Sequence, residues 1–391
     1  MLCRLCDKET VELEIDFGMQ PIVHQLNSQK IDNEKYPMRL GKCTECDFLQ
    51  LMDCISPDVL YKNYFTLSGW KNQPHTTRMI DVLESITGIN KDSTIFEIGC
   101  NDGSFLGRLK KLGYLNISGI EPTSDAYQKT VASNLNVKHD FFREELVKKE
   151  FTKNSFDVVI TRQVLEHIIE IKDFIKAVGY ILKDKGTFVI EVPDTNYNLE
   201  MLDYALWEEH VNYFTLNTLN KLLLSHGFRI IHTETTLFSG RAISIFCEKS
   251  KKTKMIENKN YAQNIDYYTK SWTTFNEELE KFLKKMNKPI AIYGCGARSS
   301  TFVNFTNISK DIDVFIDYQE EKQNHFLPGS NIPIVSWNDK YSDYIILLGV
   351  NTENEFKVIN KRGLDLKNTF SILPPSSLIP EFWKNMYNDS L

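Results

Sequence analysis

The strongest constraint on the fold is a β-branched strand that ends in a glycine turn and leads directly into a helix. The segment reads S-T-I-F-E-I-G-C-N-D-G-S-F-L over residues 93–106. A glycine in such a turn lets the backbone approach a ligand closely. The first N–H groups of the following helix attract polar or anionic groups. The pattern therefore predicts a nucleotide-binding type of turn at residues 99–103.

A second strand, I-S-G-I-E-P at residues 117–122, ends in the carboxylate of Glu121. An acidic residue about 20 positions after such a turn accepts hydrogen bonds from ribose hydroxyls. A dehydrogenase uses this geometry with G-x-G-x-x-G and a pyrophosphate, but here Asp102 stands inside the turn. Its carboxylate would repel a pyrophosphate and tolerate the cationic methionine end of S-adenosylmethionine. The turn therefore favours this methyl donor over NAD.

Further strands and helices alternate after this point. F-D-V-V-I at residues 156–160 predicts a third strand, residues 171–182 a helix, and T-F-V-I-E-V-P at residues 187–193 another strand. Such a β-α-β series is typical of an α/β fold with a doubly wound parallel sheet.

Two cysteine pairs mark the N-terminal region, Cys3 with Cys6 and Cys43 with Cys46. Each C-x-x-C presents two thiolates from one tight turn, and two such turns close a tetrahedron around zinc. Four thiolates leave no open position, so the sequence predicts a structural zinc module. His24 is an alternative fourth ligand in place of one cysteine, and four unrelated reduced thiols are the other reading.

Size and charge limit the remaining choices. At 391 residues the chain exceeds the range of one growing core, so two or three domains are expected. No stretch of about 18 apolar residues suggests a membrane span, and the N-terminus lacks a signal-peptide core. A net charge of −6 argues against a nucleic-acid partner. We expect a cytoplasmic protein without a membrane partner, and the oligomeric state stays open.

The motifs E-I-G-C-N-D-G, I-E-P, F-D-V-V and V-L-E-H-I are similar to those of class I S-adenosylmethionine-dependent methyltransferases. A zinc module before such a core and a further α/β unit after it resembles the three-part sugar C-methyltransferases of deoxysugar biosynthesis. The resemblance covers essentially the whole chain. It implies a C-methyltransferase that acts beside the ketone of a nucleotide-linked 4-keto-6-deoxy sugar.

The resemblance implies positions for the donor. It places the methionine moiety beside the turn and the ribose on the carboxylate after the second strand. Gln163, which follows the third strand, would line the same pocket. The donor-binding residues implied in this way are Gly99, Asn101, Asp102, Gly103, Glu121 and Gln163.

The same resemblance implies catalytic residues. His210 stands at the family's base position with Glu209 beside it, and His167 of V-L-E-H-I matches a histidine near the ketone oxygen. Histidine is the usual general base near neutral pH. Alternatively, Glu-His at a turn is a capped helix start or a satisfied hydrogen-bonded pair, and L-E-H occurs in methyltransferases where it has no acid–base role.

Substrate-facing residues are implied at Tyr64 and His75, in or just after a stretch that resembles a family segment; an exposed aromatic loop is the alternative. Trp207, a further residue assigned to substrate binding, is a departure, because the family has tyrosine there. Indole donates one hydrogen bond and cannot act as a base. A sugar O-methyltransferase on the same scaffold, which needs no enolate, and a donor-binding protein without turnover are therefore the competing hypotheses.

The last third repeats a strand, glycine turn and helix in P-I-A-I-Y-G-C-G-A-R-S-S at residues 289–300. This predicts a second, smaller Rossmann-like domain, whose turn could hold a phosphate with Arg298 suited to an anion. The alternatives are closure over the diphosphate of the nucleotide sugar, or a degenerate nucleotide fold kept for packing. We expect domains at residues 1–75, 76–255 and 256–391, with the tail around Trp383 packed on the body.

Overall fold

A computed structural model describes residues 1–60, 75–204, 206–250 and 261–388. Within them the strands are β1 Val11–Pro21, β2 Lys35–Cys43, β3 Leu49–Leu51, β4 Ile95–Ile98, β5 Ile117–Ile120, β6 Val137–Lys138, β7 Phe156–Arg162, β8 Leu182–Pro193, β9 Asn212–Tyr213, β10 Phe228–Leu237, β11 Arg241–Lys249, β12 Ile290–Tyr293, β13 Val314–Ile316, β14 Ile334–Val335, β15 Ile345–Leu348 and β16 Thr369–Ser371.

The helices alternate with these strands. They are α1 Pro57–Leu60, α2 His75–Thr87, α3 Ser104–Lys111, α4 Ser124–Ala132, α5 Glu144–Glu150, α6 Ile171–Ile181, α7 Thr195–Glu200, α8 Leu216–Ser225, α9 Tyr261–Lys285, α10 Ala297–Thr306, α11 Thr352–Arg362 and α12 Glu381–Asn388. Short 3-10 helices span Leu165–His167, Ser309–Asp311, Glu320–Lys322, Asp339–Asp343 and Leu366–Asn368.

A seven-stranded sheet forms the central part, in the order β10-β11-β8-β7-β4-β5-β6. The strands from β8 to β6 run parallel, and β11 lies antiparallel to β8 and β10. All four residues of β4 are buried, as expected for a central strand covered by helices on both faces. The predicted Rossmann-like core is confirmed. Strand β8 begins at Leu182, before the predicted residue 187, with a register irregularity against β7.

The N-terminal sheet contains a strand from the central domain. Its order is β1-β2-β3-β9, all antiparallel. Strand β9 follows His210 in the chain, and its two residues, Asn212 and Tyr213, pair with Gln50 and Leu49. The zinc module and the central domain therefore share one sheet.

The C-terminal sheet has five parallel strands in the order β14-β13-β12-β15-β16, which is the predicted second Rossmann-like unit. The tail packs back on the body, as expected. Trp383 is 1% exposed, stacks on Phe302, and donates its indole N–H to the carbonyl of Met201 at 2.8 Å. Met201 follows α7, so this contact joins the last helix to the central domain.

The predicted domain limits at 75/76 and 255/256 fall beside or within residues outside the described ranges, so they stay a prediction. No helix in the described part of the chain is long and apolar enough to span a bilayer.

Replacing Trp383 with alanine is expected to lower the free energy of unfolding by about 3–5 kcal/mol, because a buried aromatic side chain and its hydrogen bond are lost. Differential scanning calorimetry of the full chain measures the effect. Phe356→Ala is the control, since Phe356 is 55% exposed and its loss should change stability by less than about 0.5 kcal/mol. Equal effects of the two changes would contradict the packing role of Trp383.

Candidate active site

A cleft of about 1020 Å³ opens at the carboxyl ends of β4, β7 and β8, where parallel α/β sheets bind ligands. The turn after β4, residues after β7 and β8, and one residue of α10 meet there. Its lining residues are Gly99, Cys100, Asn101, Asp102, Ser104, Phe105, Arg162, Gln163, His167, Glu191, Pro193, Trp207, His210, Phe238, Ser239 and Arg298. Eight residues predicted from the sequence are therefore together: Gly99, Asn101, Asp102, Gln163, His167, Trp207, His210 and Arg298.

The turn after β4 depends on glycine. Gly99 has φ 66°, and a Cβ atom there would lie 2.5 Å from Cγ2 of Val164. Gly103 caps α3 with φ 74°, and a Cβ there would lie 2.4 Å from Leu135. Gly103 is absent from the lining residues, so its contribution is to the backbone path of the turn.

Glu121 lies at the end of β5, next to this turn, but does not line the cleft. Its Oε2 accepts the N–H of Asn101 at 2.9 Å, and its Oε1 accepts the N–H of Thr123 at 2.9 Å. A carboxylate has about four acceptor sites, so Glu121 can accept further donors. Its assignment to the ribose stays a prediction.

A largely buried ion pair that no sequence motif predicted contributes one residue, Arg162, to the lining of the cleft. The guanidinium of Arg162 lies 3.1 Å from Oε1 of Glu97 and over the ring of Phe105. Burial raises the pKa of Glu97 to about 7 even though Arg162 opposes that shift. The sequence signal for this pair is a charged residue within each of two otherwise mostly apolar strands, Glu97 in residues 95–98 and Arg162 in residues 156–162.

His75 reaches the cleft through a neighbour. Its Nε2 lies 3.3 Å from Oε2 of Glu191, a cleft residue that is completely buried. Burial opposes ionisation of Glu191, but His75, Arg162 and Ser244 together hold its pKa below the usual value. Tyr64, the other predicted substrate residue, lies outside the described residues.

The predicted catalytic residues lie together. The rings of His167 and His210 meet edge to face with centroids 4.8 Å apart. The Nδ1–H of His167 donates to the main-chain carbonyl of Glu209 at 3.0 Å, while Glu209 itself is buried behind the cleft. Burial lowers the pKa of His167 and holds that of His210 well below its usual value, with His167 adding to the effect on His210. Both imidazoles are therefore neutral at pH 7.

Trp207 packs against the predicted base, with ring centroids 4.4 Å from His210. Among the residues that the structure describes, its buried Nε1–H has no acceptor. The residue lines the cleft, and its indole keeps one unused donor buried beside it.

The four predicted zinc ligands converge. The Sγ atoms of Cys3 and Cys46 are 3.6 Å apart, as are those of Cys6 and Cys43, and all four lie within 4.8 Å of one another. Tetrahedral Zn–S bonds of about 2.3 Å place sulfurs roughly 3.8 Å apart, so the cluster fits zinc with no open position. His24, the alternative ligand, instead contacts Glu209.

Arg298 lines the cleft, but its Nη2 donates to Asp203 at 2.7 Å and to the carbonyl of Pro374 at 2.9 Å. The N–H groups of the C-terminal turn are also used internally. Those of residues 294, 295 and 296 donate to Ile316 O, Asp317 Oδ2 and Ser299 Oγ. This favours the packing alternative for the turn over phosphate binding. A role of Arg298 towards the substrate stays a prediction.

Three family models match consecutive parts of the chain. A domain described as zinc binding matches residues 3–61, a methyltransferase domain residues 71–233, and a C-methyltransferase C-terminal domain residues 230–373. The chain belongs to the three-part class I S-adenosylmethionine-dependent methyltransferases. S-adenosylmethionine is its methyl donor, and zinc is its structural metal.

Several individual proteins are similar to this chain. The chain is 24% identical to the C-methyltransferase NovU of Streptomyces niveus over 95% of both chains. It is 27% identical to a ubiquinone biosynthesis O-methyltransferase of Bradyrhizobium diazoefficiens, over 40% of this chain and 64% of that protein. A methyltransferase structure from Archaeoglobus fulgidus is 20% identical, with a TM-score of 0.35, over 53% of this chain and 85% of that one. The full-length relative and the C-terminal domain model support an S-adenosylmethionine-dependent C-methyltransferase.

The zinc cluster predicts one zinc ion per chain, measured by atomic emission on purified protein. Cys43→Ser should remove the metal and open the N-terminal module to limited proteolysis, because zinc binding supplies folding free energy. Cys54→Ser is the matched control, since Cys54 lies outside the four-thiol cluster. Retention of one equivalent of zinc by Cys43→Ser would exclude the proposed coordination.

Glu121→Ala is expected to weaken binding of S-adenosylhomocysteine about tenfold or more, as for a lost hydrogen bond to a charged group. Isothermal titration calorimetry measures the dissociation constant. Asp125→Ala is the control, because Asp125 is an exposed carboxylate on the following helix. An unchanged dissociation constant in folded Glu121→Ala protein would exclude Glu121 as a donor ligand.

Proposed function

We propose that this methyltransferase acts on carbon in a nucleotide-linked 4-keto-6-deoxy sugar, through an enolate formed by His210. The observation that carries the proposal is that two neutral histidines line the cleft that also contains the donor turn. This arrangement supports a base for the acceptor beside the binding site for the methyl donor.

The base step suits the state of His210. Removing a proton beside a ketone requires an unprotonated base, and burial keeps His210 unprotonated at neutral pH. Glu166, whose Oε1 is 4.0 Å from Nε2 of His210, is itself uncharged there, because burial raises its pKa to about 8. Glu166 therefore adds no negative charge that would oppose transfer of the proton on from His210.

The oxygen of the enolate needs a donor. Trp207 supports this role, because the residue lines the cleft with His210 and its buried indole N–H has no acceptor among the described residues. His167 already donates from Nδ1 to a carbonyl, so in its neutral form Nε2 carries a lone pair. His167 could donate from Nε2 to the ketone oxygen only when it is protonated.

The proposed reaction has two bond-making steps, removal of the α-proton and transfer of the methyl group. The C–H bond beside the ketone breaks and its proton moves to His210, which leaves an enolate. The enolate carbon forms a bond to the sulfonium methyl group, whose C–S bond breaks, to give the methylated sugar and S-adenosylhomocysteine. His210 then releases its proton to solvent.

Methyl transfer to oxygen is the second candidate, and Trp207 is the observation that favours it. A hydroxyl acceptor needs no enolate, so methyl transfer to oxygen would lose no activity when indole replaces the family tyrosine. Similarity to NovU over 95% of the chain favours carbon.

Exchange of the acceptor's α-hydrogen separates the two candidates. A nucleoside-diphosphate 4-keto-6-deoxyhexose incubated with the enzyme and S-adenosylhomocysteine in D₂O should gain deuterium beside the ketone, as read by proton NMR. His210→Asn should abolish exchange and methylation while S-adenosylhomocysteine still binds. His226→Asn is the control, because His226 lies after α8, away from the cleft residues. Wild-type methylation without exchange would indicate an oxygen acceptor.

The pH profile tests the state of the base. Since the pKa of His210 is well below its usual value, kcat/KM should stay constant as the pH falls through about 6.5, where an ordinary histidine would protonate. An acid limb centred at or above that pH, measured at saturating donor, would contradict a buried neutral base.

A further inference from the structure

His24 connects the zinc module to the catalytic residues. It follows β1 by three positions and is only 9% exposed. Its Nδ1 lies 2.7 Å from Oε1 of Glu209, and its Nε2 lies 2.8 Å from the main-chain carbonyl of Leu60. The ring is therefore held between the end of α1 and the carboxylate beside the proposed base.

The two contacts define the charge of the ring. A carbonyl and a carboxylate are both acceptors, so these contacts favour a proton on each nitrogen of His24. Burial by itself would lower the pKa of His24, but the hydrogen bond that its ring donates to Glu209 and the charges of Glu209 and Glu208 raise that pKa above the usual value. The two contacts and the direction of this pKa shift both favour the charged form of His24.

A neighbouring contact strengthens this attachment. The N–H of Val23 donates to Oε1 of Glu208 at 2.8 Å, and that oxygen is 3.9 Å from Nδ1 of His24. Two consecutive residues of the zinc module therefore hold two consecutive carboxylates of the segment that carries His210.

The effect of His24 continues to the next histidine. Glu209, which His24 holds by its side chain, accepts the Nδ1–H of His167 on its main-chain carbonyl. This contact fixes the tautomer of His167. The positive charge of His24 also adds to burial in lowering the pKa of His167, and a charge on His167 would in turn make His210 a weaker base.

We propose that His24 is a positioning residue for the reaction. It fixes Glu209, and through Glu209 the tautomer of His167, and its charge keeps His167 neutral beside the base. The inference rests on the proposed function of His210 and assigns a role in catalysis to the zinc module.

The groups that would respond to pH are few. Among the described residues, Glu208 and Glu209 face His24 from the segment before His210, and His167 faces it from the 3-10 helix at residues 165–167. His210 and Glu209 face His167, and Glu166 faces His210.

The first test replaces His24 with glutamine, which keeps an amide donor but has no charge. Because the positive charge is lost, His167 should take a proton at higher pH, by roughly half a pH unit or more. Nitrogen-15 NMR of the histidine rings measures this shift without any substrate. The acid limb of kcat/KM should move in the same direction, and its plateau should fall on the order of tenfold to a hundredfold, as for a misplaced catalytic group.

The second test separates charge from shape. His24→Lys restores the positive charge and should return the protonation of His167 towards its wild-type pH, whereas His24→Gln should not. His232→Gln is the matched control, because His232 also contacts a carboxylate, Glu234 at 3.2 Å, on β10. Zinc content and the dissociation constant of S-adenosylhomocysteine should equal wild type in all three variants, which excludes misfolding.

The outcomes separate this inference from the proposed function. If folded His24→Gln leaves both the titration of His167 and the acid limb unchanged, the positioning role is wrong even where wild type exchanges deuterium. If wild type shows no exchange but the titration of His167 shifts as expected, the electrostatic effect of His24 on His167 stands. The enolate mechanism, and the catalytic role that rests on it, then fail.

Discussion

The main-chain hydrogen bonds of residues 211–213 are the constraint on which the arrangement of the active site depends. The carbonyl of Val211 accepts the N–H of Leu51 in the zinc module at 3.0 Å, and its own N–H donates to Glu166 in the 3-10 helix at 2.9 Å. Asn212 adds a side-chain bond to the carbonyl of Ile168. The chain after His210 is thus fixed to the zinc module on one side and to the helix that carries His167 on the other.

Because of this arrangement, the zinc cluster stabilises more than the N-terminal module. Four thiolates on zinc contribute free energy to the folding of the small antiparallel sheet. Because β9 belongs to this sheet, that free energy also stabilises the position of His210. The contact of Lys221 on α8 with the carbonyl of Cys46 at 2.9 Å adds a further connection between the two parts.

The sequence predicted the features whose signals are local. Each of these signals depends on residues a few positions apart. They are the turn at residues 99–103, which Gly99 permits, the C-x-x-C pairs and the β-α order. Contacts between distant residues could not be predicted. Val23 and Glu208 are 185 positions apart, and Arg162 and Glu97 are 65 apart. His24 gave no periodicity or motif of its own, because its partners are brought to it only by the pairing of β9 with β3.

The shortness of β9 has a consequence for how this chain could vary. Two residues pair with β3, and neighbouring side chains of a strand point to opposite faces. One residue inserted between His210 and Asn212 would therefore exchange the faces of Asn212 and Tyr213 or push His210 out of the cleft. The number of residues between His210 and β9 is therefore constrained as strongly as the choice of histidine at position 210. Loops elsewhere around the cleft can lengthen, and changes of specificity are expected to arise there.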